Sequence, residues 1–103
     1  MLLEKVNNED FEEKVIKEKK KVLIDFNADW CGPCRMLGPI LEEVAEENTS
    51  VKFVSVNIDD NEELAMKYQV SSIPCLVLME NGSEIDRRVG LLPKEELESF
   101  IGD

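Results

Sequence analysis

Two cysteines separated by a glycine and a proline, Cys31 and Cys34, stand where one local sequence pattern gives way to another. Before them runs Val22–Phe26, a short apolar stretch rich in branched side chains that indicates a buried strand. After them, residues 33–48 repeat apolar side chains at helical spacing, opposite a face of glutamates. The pair therefore lies at the first turn of a helix that follows a strand, where two thiols can close a disulfide and open it again.

The start of a helix favours the ionised form of Cys31. The first backbone N–H groups of a helix lack partners within it, and the helix dipole places partial positive charge at the same end. The thiolate is the attacking species in disulfide exchange, whereas a free thiol, with a pKa of about 8.5, is mostly protonated at neutral pH. We therefore expect Cys31 to attack, while Cys34, one turn into the helix, is shielded and reacts second.

The composition excludes several classes of protein. The chain has 12 basic and 23 acidic side chains and a net charge of -11, which opposes binding to nucleic acid and to anionic membranes. It has no histidine, so Ser-His and Cys-His nucleophile systems are excluded, and most catalytic zinc sites would lack their usual ligand. The chemistry is expected to depend on thiols and carboxylates.

The distribution of apolar residues and cysteines indicates a cytoplasmic protein. Only Met1-Leu2-Leu3 precedes the first charged residue, without the basic and apolar segments of a signal peptide. The longest uncharged run, residues 68–79, is too short to span a bilayer. Three cysteines, two of them in one motif, do not form the framework of a disulfide-stapled secreted protein.

The remaining patterns predict one α/β domain, residues 1–103, with the order β-α-β-α-β-α-β-β-α. The strands at 22–26 and 51–58 are joined through a helix and are expected to pair in parallel. Asn81-Gly82 between two strand-like runs is typical of a tight hairpin. Strands are predicted at 2–6, 22–26, 51–58, 75–80 and 83–89, and helices after Asn7 or Asn8, over 33–48, after Asp60 or Asn61, and from Pro93.

With this order of elements the sequence resembles the thioredoxin family over nearly its whole length. The most specific feature is Trp30-Cys31-Gly32-Pro33-Cys34 after a buried strand, with Ile73-Pro74 later in the chain. The other matching residues are Asp25-Phe26, Ala28, Pro39, Asn57-Ile58-Asp59, the predicted hairpin and Val89-Gly90. The resemblance implies a thioredoxin fold, with a central mixed sheet of four to five strands flanked by four helices.

The resemblance also implies a general protein disulfide reductase. Cys31 would attack a disulfide of a substrate protein to give a mixed disulfide, and Cys34 would resolve it, leaving the two cysteines oxidised. A separate thioredoxin reductase, using NADPH and a flavin, would restore the dithiol. The partners implied are this reductase and disulfide-containing substrate proteins. The chain itself is expected to be a monomer that binds no cofactor and no metal.

A docking rim for an extended substrate segment is a further implication of the resemblance. In the family the second proline is cis and lies against the disulfide, so we expect a cis bond before Pro74. For Ile73 and Val89 the alternative is simple packing in the core or at a sheet edge. The residues expected to form the rim are Trp30, Gly32, Pro33, Ile73, Pro74, Val89 and Gly90.

Asp25 is a carboxylate inside an apolar strand, where burial is costly. It lies either at a frayed strand end or at a buried position where it transfers a proton. In the family the matching aspartate is buried near the second cysteine and accepts its proton through water, with a pKa raised by desolvation. The resemblance therefore implies that Asp25 is the proton acceptor for Cys34.

Three positions depart from the usual family pattern. Asn27 stands where a tryptophan is frequent, and Ser55 stands where a lysine is frequent, so Asp25 is expected to lack a cationic neighbour. Cys75 follows the second proline, where threonine is frequent. It is either a small buried hydrophobic residue or a third sulfur beside the redox pair, able to perturb its redox potential or to form an alternative disulfide.

Other functions remain open at the level of the sequence. An oxidase or isomerase would use the same cysteines in the opposite direction, although the Gly-Pro dipeptide and the absence of a signal peptide count against it. A non-enzymatic scaffold subunit and a redox partner dedicated to one pathway are further alternatives. A zinc site built from Cys31, Cys34 and Cys75 would be one ligand short of tetrahedral coordination.

Overall fold

A computed structural model describes residues 3–102 of the chain. It contains five strands and four helical segments in the predicted order, so the predicted fold class is confirmed. The strands are β1 (Glu4–Lys5), β2 (Lys21–Asn27), β3 (Val51–Asn57), β4 (Cys75–Glu80) and β5 (Ser83–Val89). The helices are a π-helix (Glu12–Ile16), α1 (Gly32–Glu47), α2 (Glu62–Lys67) and α3 (Lys94–Gly102).

The five strands form one mixed sheet in the order β1-β3-β2-β4-β5. β3 pairs in parallel with β2, as expected for two strands joined through a helix, and it also pairs in parallel with β1. β4 runs antiparallel to both β2 and β5. β2 is the central strand of the sheet, so the Cys31–Cys34 pair that follows it lies beyond the carboxyl end of the middle strand.

Helices cover both faces of the sheet and enclose two hydrophobic cores. Because side chains alternate along a strand, Leu23 packs on one face while Val22, Ile24 and Phe26 pack on the other. The core on the first face includes Leu37, Leu41 and Val44 from α1 and Leu97, Phe100 and Ile101 from α3. The core on the second face includes Phe11, Val15 and Leu64. Asp25 therefore belongs to the face covered by α1 and α3.

The first helical segment is shorter than the sequence pattern predicts, and the asparagines expected to cap it bind elsewhere. The backbone N–H of Asn8 donates to Oδ1 of Asn61 (2.8 Å), and Nδ2 of Asn61 donates to Oδ1 of Asn7 (3.0 Å). Asn61 likewise makes no side-chain cap for α2. The segment that forms is the π-helix, closed by the N–H of Lys17 on the carbonyl of Glu12 (3.0 Å).

The strands and the hairpin follow the predictions closely. β4 and β5 have the predicted bounds, and Asn81 and Gly82 between them have φ values of 52° and 80°, the left-handed conformation that this tight turn requires. β1 is shorter than predicted, and its expected first residue, Leu2, lies outside the described residues. No helix within residues 3–102 is both long enough and apolar enough to cross a membrane.

Candidate active site

Cys31 and Cys34 form a disulfide at the start of α1, with their Cα atoms 5.2 Å apart. Cys31 is the N-cap residue of the helix, and its Sγ accepts the backbone N–H of Cys34 at 3.2 Å. Pro33 occupies the first turn, where a missing N–H costs no helical hydrogen bond. When the disulfide is open, a negative charge on the Cys31 sulfur would meet this N–H and the positive end of the helix dipole.

Burial does not distinguish the two cysteines in this oxidised state. Cys31 is 4% exposed and Cys34 is 6% exposed, so the expected shielding of Cys34 applies equally to Cys31. Both residues pack with Ala28 in a small cluster, against which Ile58 and Ile73 also pack. The difference between the two sulfurs lies instead in their surroundings, since Cys31 caps the helix and Cys34 lines a cleft that also contains Asp25.

Asp25 is buried beside this cleft, which has a volume of about 370 Å³. Only 5% of its surface is exposed, and desolvation raises the pKa of its carboxyl group from 3.8 to about 7. Its Oδ1 has no hydrogen-bond partner among residues 3–102. Of the two possibilities for Asp25, a frayed strand end is therefore wrong, because the residue pairs within β2 with Ser55 on one side and Leu76 on the other.

Asn27 and Ser55, which depart from the usual family pattern, form a small polar group with Asp25. Nδ2 of Asn27 lies 3.3 Å from Oδ2 of Asp25, 2.9 Å from its carbonyl oxygen and 2.8 Å from Oγ of Ser55. The hydrogen bond from Asn27 lowers the pKa of Asp25 and partly offsets the effect of burial. Among residues 3–102 no cationic side chain is a cause of that pKa shift, although Arg35 lines the same cleft.

The residues expected to form a docking rim come from three separate parts of the chain. Trp30 is 66% exposed, and its indole N–H donates to Oδ2 of Asp59 at 2.9 Å. The Ile73–Pro74 bond is cis, and the carbonyl of Pro74 accepts the N–H of Gly90 at 2.8 Å. Of the remaining rim residues, Pro33 and Val89 are exposed, whereas Gly32 and Ile73 are partly buried.

Met36 is an exposed residue of this region that the sequence analysis did not select. Its side chain is 63% exposed on α1, one helical turn after Gly32, so the two residues share a side of the helix. In the sequence, the spacing of four residues between Gly32 and Met36 could have indicated that Met36 lies on the same side of the helix as the motif. Met36 therefore extends the exposed surface beside the disulfide by one turn.

Cys75 lies in the core on the face of the sheet opposite α1, outside the small cluster that contains Cys31 and Cys34. It is 1% exposed, burial raises the pKa of its thiol, and Nη1 of Arg87 is 3.9 Å from its Sγ. This placement favours the interpretation of Cys75 as a small buried hydrophobic residue. Within residues 3–102, no three His, Cys, Asp or Glu side chains are grouped so that they could hold a metal ion.

Comparison with known proteins identifies the relatives of this fold and site. The thioredoxin family model matches residues 2–103. The chain is 44% identical over 99 residues to the thioredoxin of Rickettsia bellii, covering 95% of this chain and 94% of that protein. It is 44% identical over 97 residues to the thioredoxin of Haemophilus influenzae, covering 93% and 91%. It is also 42% identical over 93 residues to the mitochondrial thioredoxin of Bos taurus, covering 89% of this chain but only 56% of that protein.

Proposed function

The chain belongs to the thioredoxin family, and from this membership we propose which of its residues carry out each step of the reaction. It is a thiol–disulfide oxidoreductase with protein-disulfide reductase activity. The observation that carries the proposal is the position of the Cys31 sulfur, which caps α1 and accepts the N–H of Cys34.

In the first step, the Cys31 thiolate attacks one sulfur of a substrate disulfide. A Cys31–substrate disulfide forms, the substrate disulfide breaks, and the other substrate sulfur leaves as a thiolate. The helix N-terminus supports this role, because it stabilises negative charge on the attacking sulfur relative to the protonated thiol. Cys31 is therefore the nucleophile.

In the second step, Cys34 attacks the Cys31 sulfur of the mixed disulfide. The Cys31–Cys34 disulfide forms and the second substrate thiolate leaves, so the substrate gains two electrons and the protein dithiol loses them. The thiol proton of Cys34 passes to the carboxylate of Asp25. The shared cleft and a pKa of about 7 for Asp25 support this transfer, because such a group can hold or release a proton near neutrality.

The substrate segment that carries the disulfide docks beside the redox pair. The exposure of Trp30 and Val89, together with the contact of the partly buried Ile73 with the disulfide cluster, supports docking rather than simple core packing. An extended peptide can form backbone hydrogen bonds and apolar contacts at such a rim. The rim residues are Trp30, Gly32, Pro33, Ile73, Pro74, Val89 and Gly90.

The dithiol is restored by a thioredoxin reductase that draws electrons from NADPH through a flavin, while this chain acts as a monomeric domain without a bound cofactor. Its net charge of -11 supports protein partners rather than nucleic acid or anionic lipid. A dithiol reductase works where its disulfide form is continuously reduced, which supports a reducing compartment and, for this chain, the cytoplasm.

Reduction of insulin by dithiothreitol, with and without the protein, tests the activity and the cysteine roles together. The Cys31→Ser variant is expected to lose the acceleration, and the Cys34→Ser variant to accumulate as a mixed disulfide with insulin. Cys75→Ala is the matched control, since it removes a cysteine from the opposite core and is expected to keep the activity. Acceleration by the Cys31→Ser variant would contradict the assignment of the nucleophile.

A further inference from the structure

The side chain of Asn27 has more acceptors within reach than it has hydrogens to donate. Its Nδ2 carries two hydrogens, yet three oxygens lie within 3.3 Å: the carbonyl and Oδ2 of Asp25, and Oγ of Ser55. The two shorter contacts, 2.9 Å and 2.8 Å, go to the carbonyl and to Ser55. The carboxylate at 3.3 Å therefore shares a hydrogen with one of them.

The backbone makes this arrangement specific to these three residues. Asp25 and Asn27 are two residues apart in β2 and so point to the same face of the sheet. Ser55 lies directly opposite Asp25 in the neighbouring strand β3. A short amide at position 27 reaches both of them.

We propose that Asn27 is a positioning residue for the second step, holding Oδ2 of Asp25 so that the unpartnered Oδ1 is the oxygen that takes the proton from Cys34. Ser55 competes for the same amide and limits how firmly the carboxylate is held. The inference rests on the proposed role of Asp25. Asp25 is 5% exposed, its Oδ2 is 3.3 Å from Nδ2 of Asn27, and its Oδ1 has no partner within residues 3–102, so only one of the two oxygens is engaged.

Other titratable groups also face Asp25, and they are common to all the variants below. The cleft beside it is lined by Cys34, Arg35 and Glu42 from α1 and by Asp29 from the loop before it. Cys75 of β4 lies on the opposite face of the sheet; burial raises the pKa of its thiol, and the charge of Asp25 adds a smaller rise. Ser55 of β3 does not titrate. A change confined to Asn27 or Ser55 leaves this set unaltered.

Replacing Asn27 and replacing Ser55 should shift the pKa of Asp25 in opposite directions. Asn27→Leu keeps the size of the side chain and removes the donor, so the charged carboxylate loses its hydrogen bond and its pKa rises by about one unit. Ser55→Ala removes the competing acceptor and releases a hydrogen for Oδ2, so the pKa of Asp25 falls. A purely structural loss at either position would not produce opposite signs.

The rate of the second step follows the ionised fraction of Asp25. At pH 7 a rise of one unit reduces that fraction from roughly one half to roughly one eleventh, so the second step of Asn27→Leu should slow about five-fold. The deficit should disappear above about pH 9, where Asp25 is ionised in both proteins. Ser55→Ala should instead extend the fast second step to lower pH.

The test combines kinetics of the reduced protein with a titration of the oxidised protein. Mixing the dithiol form with the chromogenic disulfide dithiobis(nitrobenzoate) in a stopped-flow instrument gives one release of thionitrobenzoate for attack by Cys31 and a second for attack by Cys34. The pH profile of the second release measures the effect on resolution. In the oxidised protein, where the pair does not titrate, the carboxyl carbon of Asp25 is followed by NMR.

The control is Asn48→Leu, which removes another partly buried amide, one that donates to the carbonyl of Val44 (2.8 Å) at the far end of α1. It should leave the pH profile of the second release unchanged. The proposal is overturned if the Asp25 titration and that profile are the same in Asn27→Leu as in the unaltered protein, or if Ser55→Ala raises the pKa of Asp25. Asp25→Asn distinguishes the proposed role of Asp25 as proton acceptor from the proposed role of Asn27 in positioning it. If Asp25→Asn slows the second release while Asn27→Leu does not, the role of Asp25 stands and that of Asn27 fails.

Discussion

Replacing Asp25 with asparagine should stabilise the folded protein at neutral and alkaline pH and leave its stability unchanged in acid. The carboxyl group is buried, and its pKa in the folded state is about 7, against an ordinary value of 3.8. The folded state therefore binds this proton more tightly than the unfolded state does. Between pH 3.8 and about pH 7 the carboxyl is ionised in the unfolded chain but protonated in the folded protein, so folding takes up a proton. Above about pH 7 the carboxyl is ionised in both states, so folding buries a charge.

The size of the effect follows from the difference between the two pKa values. A difference of about three pH units, at about 1.4 kcal/mol for each, amounts to a penalty of about 4 kcal/mol in the free energy of unfolding. The penalty is absent below about pH 4, grows between about pH 4 and pH 7, and is complete above pH 7. This direction is opposite to that of an ion-paired carboxylate, which stabilises the folded state as pH rises.

Urea unfolding of the oxidised protein and of Asp25→Asn, each at pH 4 and at pH 8.5, measures the penalty. The variant is expected to be more stable by about 4 kcal/mol at the higher pH and by little at the lower one. The difference between the two proteins cancels the contributions of all other titrating groups. A difference that is the same at both pH values would refute the reasoning.

Asp86→Asn provides the matched control for this experiment. Asp86 is an exposed aspartate on β5 whose pKa is lowered, first by the backbone N–H of Arg87 and also by the side chain of Arg88. Its contribution to stability is present above its unfolded pKa and is lost as pH falls through its folded pKa. The Asp86→Asn variant should therefore become relatively less stable, not more stable, as the pH rises.

Three further substitutions test separate parts of the fold and the site. Cys75→Ser places a hydroxyl in an apolar core and should cost about 2 kcal/mol in urea unfolding while insulin reduction is unchanged; a loss of activity at full stability would contradict its assignment as a packing residue. Gly82→Ala should lower the free energy of unfolding by about 1–2 kcal/mol, because φ is +80° and a Cβ would lie 3.3 Å from the side chain and carbonyl oxygen of Ile16. Asp59→Ala removes the acceptor for the indole of Trp30 and should raise KM for insulin a few-fold with kcat unchanged; an equal loss in both would indicate another role.

The sequence predicted the architecture well wherever local pattern and global packing agree. The buried strand β2, the redox pair and α1 follow one another as expected, because apolar periodicity and a proline in the first turn act within a few residues. The hairpin was predicted for the same reason, since Asn81 and Gly82 adopt the required positive φ values at little cost. The mixed sheet, which the resemblance to the thioredoxin family implied, is also present.

The predictions that failed depended on partners distant in the sequence. Asn7 or Asn8 was expected to cap the first helix, and Asp60 or Asn61 the helix after β3, which is the usual local role of such side chains. Asn7, Asn8 and Asn61 do not act as these caps. They bind one another instead, across more than fifty positions of the chain. A sequence pattern shows that such a side chain can accept or donate a hydrogen bond, but not which distant partner it meets.

By itself, the sequence determined the fold class, the redox pair and its place at a helix start, because strand and helix periodicity and the Cys-Gly-Pro-Cys motif are local properties of the chain. Tertiary structure alone decided the environment of Asp25: its burial, its hydrogen bond from Asn27, and the cleft it shares with Cys34. Desolvation is a property of everything packed around a group, so the pKa of a carboxyl is set only when β2, β3 and α1 meet.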